Sequence, residues 1–423
     1  MSSVFKKTQE ELKSQEIDTA YFSDLLEQGI KTCKLNQDLE LLLYDVSDAL
    51  KENQILLIEA PDGREEGYLI PLLLAYQNTT YFKRFIIAAS SSVTRKAIET
   101  KIQELAKLLK VDIPVHTLES EKNYFCLKRL AGYNKKRKNP IQNCHPKAMS
   151  KDEWRKIQVR NCTLSSCAFF KRCKYAIDRT AISQNGCAII SHASLIGNKK
   201  YSQSTKAHED GDIIIIEEAE RFANSVRDSY QQLMSFDYIH NCFSRAKKLL
   251  NKPEYSFITN SYFIELKNFF EELALCEKGE NWTVTPRLKE VSDKLATMTK
   301  KALIHLTRQG AVRNFSKEIE HFCEMIYIIE KFFEDIATSS GLFHCLLQKN
   351  ERSQDTPAFR KVQVFYYPNR VDSIIADSLK NKKCSIVFTG KRIAGKDSEY
   401  SSLFEECGIE ELGKPVVKEY ILK

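Results

Sequence analysis

No stretch of this 423-residue chain approaches the roughly 18 consecutive apolar residues that a membrane-spanning helix needs. An integral helical membrane protein is therefore not expected. The N-terminus, MSSVFKKTQEELKSQEI, is polar and charged and lacks the apolar core of a secretory signal, so a cytoplasmic location is expected. The sequence contains no tight C-x2-C pair of the kind that structural zinc sites favour. Internal repeats are absent too, which excludes a repeat array. The single low-complexity run is the short basic stretch Lys135–Lys138.

What is present is an ordinary globular balance, 43% hydrophobic and 28% charged, which argues against overall disorder. The length leaves room for two to four domains. Thirteen cysteines are many for a cytoplasmic chain, where clustered cysteines point to metal or redox chemistry rather than disulfides. Cys33, Cys242, Cys276, Cys323, Cys345, Cys384 and Cys407 are scattered and read as small core residues. The net charge of +8 is unevenly spread. Lys122–Lys174 holds 15 Lys/Arg against Asp152 and Glu153, a local +13 that leaves −5 for the remainder. A basic insert on a slightly acidic body is the footprint of a polyanion-binding surface, or else a solvated loop.

Residues 38–51 read as an amphipathic helix, followed by the buried strand Ile55–Ala60 and a turn at Pro61-Asp62-Gly63. A helix over 68–77, a second strand at Phe85–Ala89 and a helix over 93–109 follow. CAIISHA (187–193) and DIIIIEEAE (212–220) read as two more strands, and Cys384–Thr389 as a last one. This alternation predicts an α/β fold with a parallel sheet covered on both faces. Ligands on such sheets bind at the carboxyl ends of the strands. Those ends here carry Pro61–Gly67, Ser90–Thr94, Ser191-His192 and Glu217–Glu220. Between about 223 and 365 the pattern turns to Leu, Phe, Tyr, Lys and Glu at helical spacing, and an all-helical insertion is expected.

Five segments in the same order resemble the DinG/XPD iron–sulfur DNA helicases. ILLIEAPDG with YLIP resembles the family's strand, phosphate loop and helix. FIIAASSSVTRKAI resembles its second, DNA-contacting motif, and EKNYFCLKRL the segment supplying the first cluster cysteine. NCTLSSCAFFKRC with AIISHASLI resembles the other three cysteines and the strand beyond them, and DIIIIEEAERF the Asp-Glu-Ala-His box. Cys126, Cys162, Cys167 and Cys173, separated by 35, 4 and 5 residues, match the thiolate set of a [4Fe–4S] cluster. Zinc stays open as the alternative, with Cys144 beside His145 as an extra candidate ligand.

The resemblance implies a single RecA-like P-loop NTPase motor domain with two insertions. The motor would occupy 1–120, 181–222 and 366–423, the Fe–S domain 121–180 and the helical arch 223–365. Single-stranded or forked DNA would pass between the insertions. Lys128, Arg129, Lys135, Lys136, Arg137, Lys138, Lys171 and Arg172 would contact phosphates. Tyr124, Phe125, Phe169 and Phe170 would offer stacking faces, unless they pack the small domain's core.

The sequence departs from the family where nucleotide should bind. A working loop needs glycines around the phosphates, a Lys on the β- and γ-phosphates and a Ser or Thr on Mg²⁺. Pro61–Gly67 reads PDGREEG, with Gly63 retained and no Lys, Ser or Thr. Glu65 or Glu66 falls near the lysine position. Each cation-to-anion change costs about 4 kcal/mol at about 4 Å and an effective dielectric near 20. Glu217 stands where the Mg²⁺-linked Asp should be, Glu218 keeps the water-activating position and Glu220 replaces the His. Ser191 replaces the Asn before His192, and Thr389-Gly390-Lys391 replaces most of the coupling motif. Only 34 residues follow Thr389, so a second motor domain is not expected.

The expectation is a pseudo-helicase with degenerate remnants and no catalytic residue, in which ATP and Mg²⁺ are not cofactors. It would serve as an accessory factor in DNA repair or replication. Two alternatives stand beside it: an ATP-dependent 5′-to-3′ helicase completed by a partner chain, and an Fe–S redox or structural protein with no DNA role.

Overall fold

The computed structural model describes residues 19–52, 54–59, 65–78, 84–135, 149–159, 167–196, 212–250, 253–279, 282–312, 317–339, 343–349, 356–380, 385–391, 400–413 and 415–419. They divide into two compact units. The first comprises Met1–Gly197, Ser204–Val226 and Asp372–Lys423, and the second Asn198–Gln203 and Arg227–Val371.

The first unit opens with α1 (Thr19–Cys33), α2 (Gln37–Glu52), β1 (Ile55–Glu59), α3 (Glu65–Asn78), β2 (Arg84–Ala89), α4 (Ser92–Leu109) and β3 (Val115–Thr117). The cysteine-bearing segment follows, with α5 (Leu127–Asn134), α6 (Lys151–Ile157) and α7 (Lys174–Ala181). The chain then returns through β4 (Gly186–Ser191), α8 (His192–Ile196), β5 (Ile213–Ile216) and the start of α9 (Phe222–Tyr230).

The second unit holds β6 (Gln232–Ser235), α10 (Phe236–Leu250), α11 (Pro253–Leu275), α12 (Pro286–Val312), α13 (Lys317–Thr338), β7 (Phe343–Lys349), α14 (Ala358–Lys361) and β8 (Val362–Pro368). The first unit is completed by α15 (Asp372–Leu379), β9 (Ile386–Gly390), α16 (Ser401–Cys407), α17 (Ile409–Leu412) and β10 (Val416–Glu419).

Seven strands of the first unit form one sheet in the order β10-β1-β9-β5-β2-β4-β3, every neighbouring pair parallel. The expected α/β fold with its parallel sheet is therefore what forms. Parallel strands buried on both faces must read as continuous apolar runs. All six residues of β2 and all four of β5 are buried accordingly. One face of the sheet packs on α2, α3 and α4 through Leu43, Val46, Leu69, Leu73 and Ile102. Strands β3 and β10 escape the sequence reading because three and four residues of mixed polarity carry no apolar run.

Gly67 sits inside the first turns of α3, not in a phosphate-cradling loop. A Cβ there would lie 2.3 Å from Leu42 Cδ2 and 2.6 Å from Leu42 Cγ. The glycine thus serves the close approach of α3 to α2.

The second unit has its own aromatic core, in which Phe243 stacks on Tyr262 with ring centroids 3.8 Å apart. It is not all-helical. Strands β6, β8 and β7 form a three-stranded antiparallel sheet in that order. Val362–Pro368 alternates buried and half-buried residues along its length. That two-residue period is a strand signal hidden among long helices when a wide window is averaged. Because β8 runs to Pro368, residues 366–371, assigned to the motor domain from sequence, sit with this sheet.

The scattered cysteines among the described residues range from half-buried to buried. Cys242 and Cys407 are buried, whereas Cys33, Cys276, Cys323 and Cys345 are half-buried. Burial pushes the thiols of Cys345 and Cys407 up to about 12 and that of Cys242 to about 11. Cys187 lies fully buried on β4, while Cys384 lies outside the described residues.

Candidate functional site

The carboxyl ends of β1, β2, β4 and β5 carry the segments that the resemblance compares with a nucleotide site. Gly63 lies outside the described residues, and the structure resumes at α3, whose first turn begins Glu65-Glu66. The N-terminus of a helix is an anion site because its free N–H groups and dipole point outward. Here the helix supplies those anions itself. Glu66 forms an ion pair with Lys101 of α4. The cation is held by a carboxylate of the chain.

Glu217 is sealed from the other side. Its Oε1 accepts a hydrogen bond from the hydroxyl of Tyr68, which is buried on α3. Burial, with the nearby Glu65 and Glu218 carboxylates adding to it, raises the Glu217 carboxyl to about 7. Burial and the Glu217 carboxyl push the Tyr68 hydroxyl far above its ordinary range. The backbone carbonyl of Glu217 accepts from His192 Nε2 at 2.7 Å. His192 is fully buried, edge-on to Phe222 at 5.1 Å, and burial lowers it to about 4, so it stays neutral at physiological pH.

Glu218 adopts the left-handed conformation, φ 54° and ψ 47°, which costs a non-glycine residue on the order of 1 kcal/mol. Its Oε2 accepts from the Ser90 backbone N–H at 3.1 Å and from the Ser90 hydroxyl, and its Oε1 meets Arg221 Nη1 at 3.1 Å. Partial burial alone would raise this carboxyl; the Ser90 hydrogen bonds and the Arg221 charge outweigh it and hold it below its ordinary value. Partial burial and the Glu218 charge raise Glu220. Thus Glu66, Glu217 and Glu218 each meet a donor from their own chain. Ser191 accepts from the Ser194 N–H at 3.2 Å, capping α8.

The cysteine-bearing segment has a small core of its own. Phe125 pairs with Gln158 in an antiparallel bridge, and the Cys126 N–H donates to the Ile157 carbonyl at 2.7 Å. Cys126 and Cys173 occupy the N-cap positions of α5 and α7. Cysteine sulfur is the donor that iron–sulfur and zinc centres take, so these residues suit either in chemistry. Cys162, Cys144 and His145 lie outside the described residues. Among the described residues, no group of three or more His, Cys, Asp or Glu is gathered as a metal site, Cys126, Cys167 and Cys173 included.

Tyr124 is a correction to the expected nucleic-acid contacts. It is 7% exposed, packs edge-on against Tyr175 at 5.3 Å and donates its hydroxyl to Asp178 at 2.9 Å. A ring buried in this way offers no face to a base. Lys128, Arg129, Lys135, Lys171 and Arg172 are exposed on the same segment, and Arg172 lies 6.0 Å over the Phe169 ring. Lys136, Arg137 and Lys138 lie outside the described residues.

No family model matches the chain, and no curated protein matches it. Among solved structures it is similar to an XPD helicase. The two share 14% identity and a TM-score of 0.47, over 91% of this chain and 62% of that one. The chain thus spans less than two thirds of the neighbour's length.

Sequence reasoning missed the partners, namely Tyr68, Lys101, Ser90 and Arg221. Each comes from a helix, strand end or turn distant in sequence from the carboxylate it meets, except Arg221. A Glu three residues before an Arg is a local pairing signal, and Glu218–Arg221 was legible on that ground alone.

Proposed function

We propose that this chain is a DinG/XPD-like pseudo-helicase. It binds single-stranded or forked DNA through the cysteine-bearing segment, with the second unit as an additional surface, and neither hydrolyses ATP nor unwinds DNA on its own. Its place is that of an accessory factor in DNA repair or replication. Cys126, Cys162, Cys167 and Cys173 hold a [4Fe–4S] cluster, which when bound supplies a rigid, electron-accepting staple for the segment.

The observation that carries this reading is the internal pairing of the nucleotide-face carboxylates. Glu66 meets Lys101, Glu217 meets Tyr68, and Glu218 meets Ser90 and Arg221. A triphosphate with Mg²⁺ needs cations facing its oxygens and free carboxylates facing the metal. At this edge Glu217 and Glu218 are already engaged. The exposed Lys128, Arg129, Lys135, Lys171 and Arg172 support the DNA role, since phosphate contacts supply most of the sequence-independent affinity.

Two assays on oxygen-free protein test the reading together. Iron and acid-labile sulfide should each approach about four per chain, and iron should fall in Cys173→Ser. ATP turnover should stay at background with saturating single-stranded DNA. DNA-stimulated hydrolysis that disappears in Glu218→Gln would overturn the pseudo-helicase assignment, and stoichiometric zinc in place of iron would overturn the cluster.

A further inference from the structure

A chain of hydrogen bonds runs from the acidic turn to the cysteine-bearing segment, through residues that the proposed function leaves without a role. At one end, the Ser90 N–H and hydroxyl donate to Glu218. The preceding carbonyl, that of Ala89 at the end of β2, accepts from Arg95 Nη1 at 3.2 Å. Arg95 is a buried cation, 4% exposed, and its Nη2 meets Glu119 Oε2 at 2.8 Å. The Glu119 backbone N–H donates to the Tyr124 hydroxyl oxygen at 3.1 Å, and that hydroxyl donates onward to Asp178 Oδ2 at 2.9 Å. Asn123 Nδ2 adds a second donor to Glu119 at 3.2 Å. Tyr124 stands two residues before Cys126, and Asp178 lies on α7, which Cys173 caps.

Each link is held by its own physics. A guanidinium this buried must keep its carboxylate, because removing one partner leaves an uncompensated charge. A hydroxyl that both accepts and donates fixes the distance between Glu119 and α7. Ser90, Ser91 and the first turn of α4 are held as well by their own cap, in which the Thr94 N–H donates to Ser91 Oγ at 3.0 Å and the Arg95 N–H to the Ser91 carbonyl at 3.1 Å.

We propose that Arg95, Glu119 and Tyr124 are positioning residues that couple the conformation of the cysteine-bearing segment to that of the Ser90–Thr94 turn. Loosening either end loosens the other. The coupling goes beyond the proposed function and holds whether or not the chain binds DNA.

Hydrogen exchange of the full chain, read by mass spectrometry, tests it in both directions. Tyr124→Phe removes only the hydroxyl and should speed exchange about threefold or more in residues 90–95, as well as locally in 118–126. Ser90→Ala, at the far end, should speed exchange in 118–126 and 174–181 by a similar factor. Glu119→Gln keeps the side-chain shape, loses the charge and should affect both ends. The second unit should be unchanged in all three. Effects confined to the segment carrying each substitution overturn the coupling. So does uniform acceleration across both units, because that reports global destabilisation in place of a directed path.

Discussion

Glu217 is the residue whose surroundings differ most from what its position in an acidic box implies. Burial raises its carboxyl to about 7, so the folded state holds a proton that the unfolded chain has released above about pH 4.5. Its contribution to stability is therefore fully present below about pH 4.5 and is lost as pH rises through about 7. Glu217→Gln should flatten this dependence, gaining on the order of 2 kcal/mol over the wild type between pH 5 and pH 8. Urea midpoints at the two pH values check this; equal pH slopes for the two proteins would refute it. Tyr68→Phe should cost about 1 kcal/mol or more at pH 8, where it takes a donor from a buried carboxylate, and less at pH 5.

At the scale of elements, α3 holds a glycine that packing requires. Gly67 survives because α2 lies against it, with Leu42 Cδ2 2.3 Å from where a Cβ would stand. Gly67→Ala should destabilise the chain by roughly 1–3 kcal/mol through overpacking. Leu42→Ala should absorb much of that cost in the double variant, a non-additivity that thermal unfolding measures. A neutral Gly67→Ala would mean that α3 can shift freely. The apolar runs of β1, β2, β4, β5 and β9 were legible because a doubly covered sheet leaves no polar alternation to confuse. The antiparallel β6, β7 and β8 were not, since a short alternating pattern is drowned by neighbouring helices of up to 27 residues. In the site, the carboxylates at the strand ends were legible residue by residue. Their partners were not, because Tyr68 and Glu217 are 149 positions apart and Ser90 and Glu218 are 128 apart. Only the folded sheet brings such strand ends together. Tyr124 illustrates the reverse error, in which an aromatic beside a basic stretch packs the core and leaves the cations at the surface.

At the scale of the whole molecule, the proposed function has a parallel α/β unit whose own side chains engage the strand-end carboxylates Glu217 and Glu218. Mg²⁺ with ATP should accordingly leave the thermal midpoint unchanged, because a ligand stabilises only in proportion to its occupancy of the native state. A rise of several degrees at millimolar nucleotide would show that the internal pairs give way. The proposed DNA role is tested by single-stranded DNA binding to oxygen-free protein across a salt series without nucleotide. Binding should be tight at low salt, log affinity should fall steeply and linearly with log salt, and the slope should drop by up to about 3 when Lys128, Arg129, Lys171 and Arg172 are all changed to Gln. No binding at low salt, or a slope untouched by the four substitutions, would contradict it.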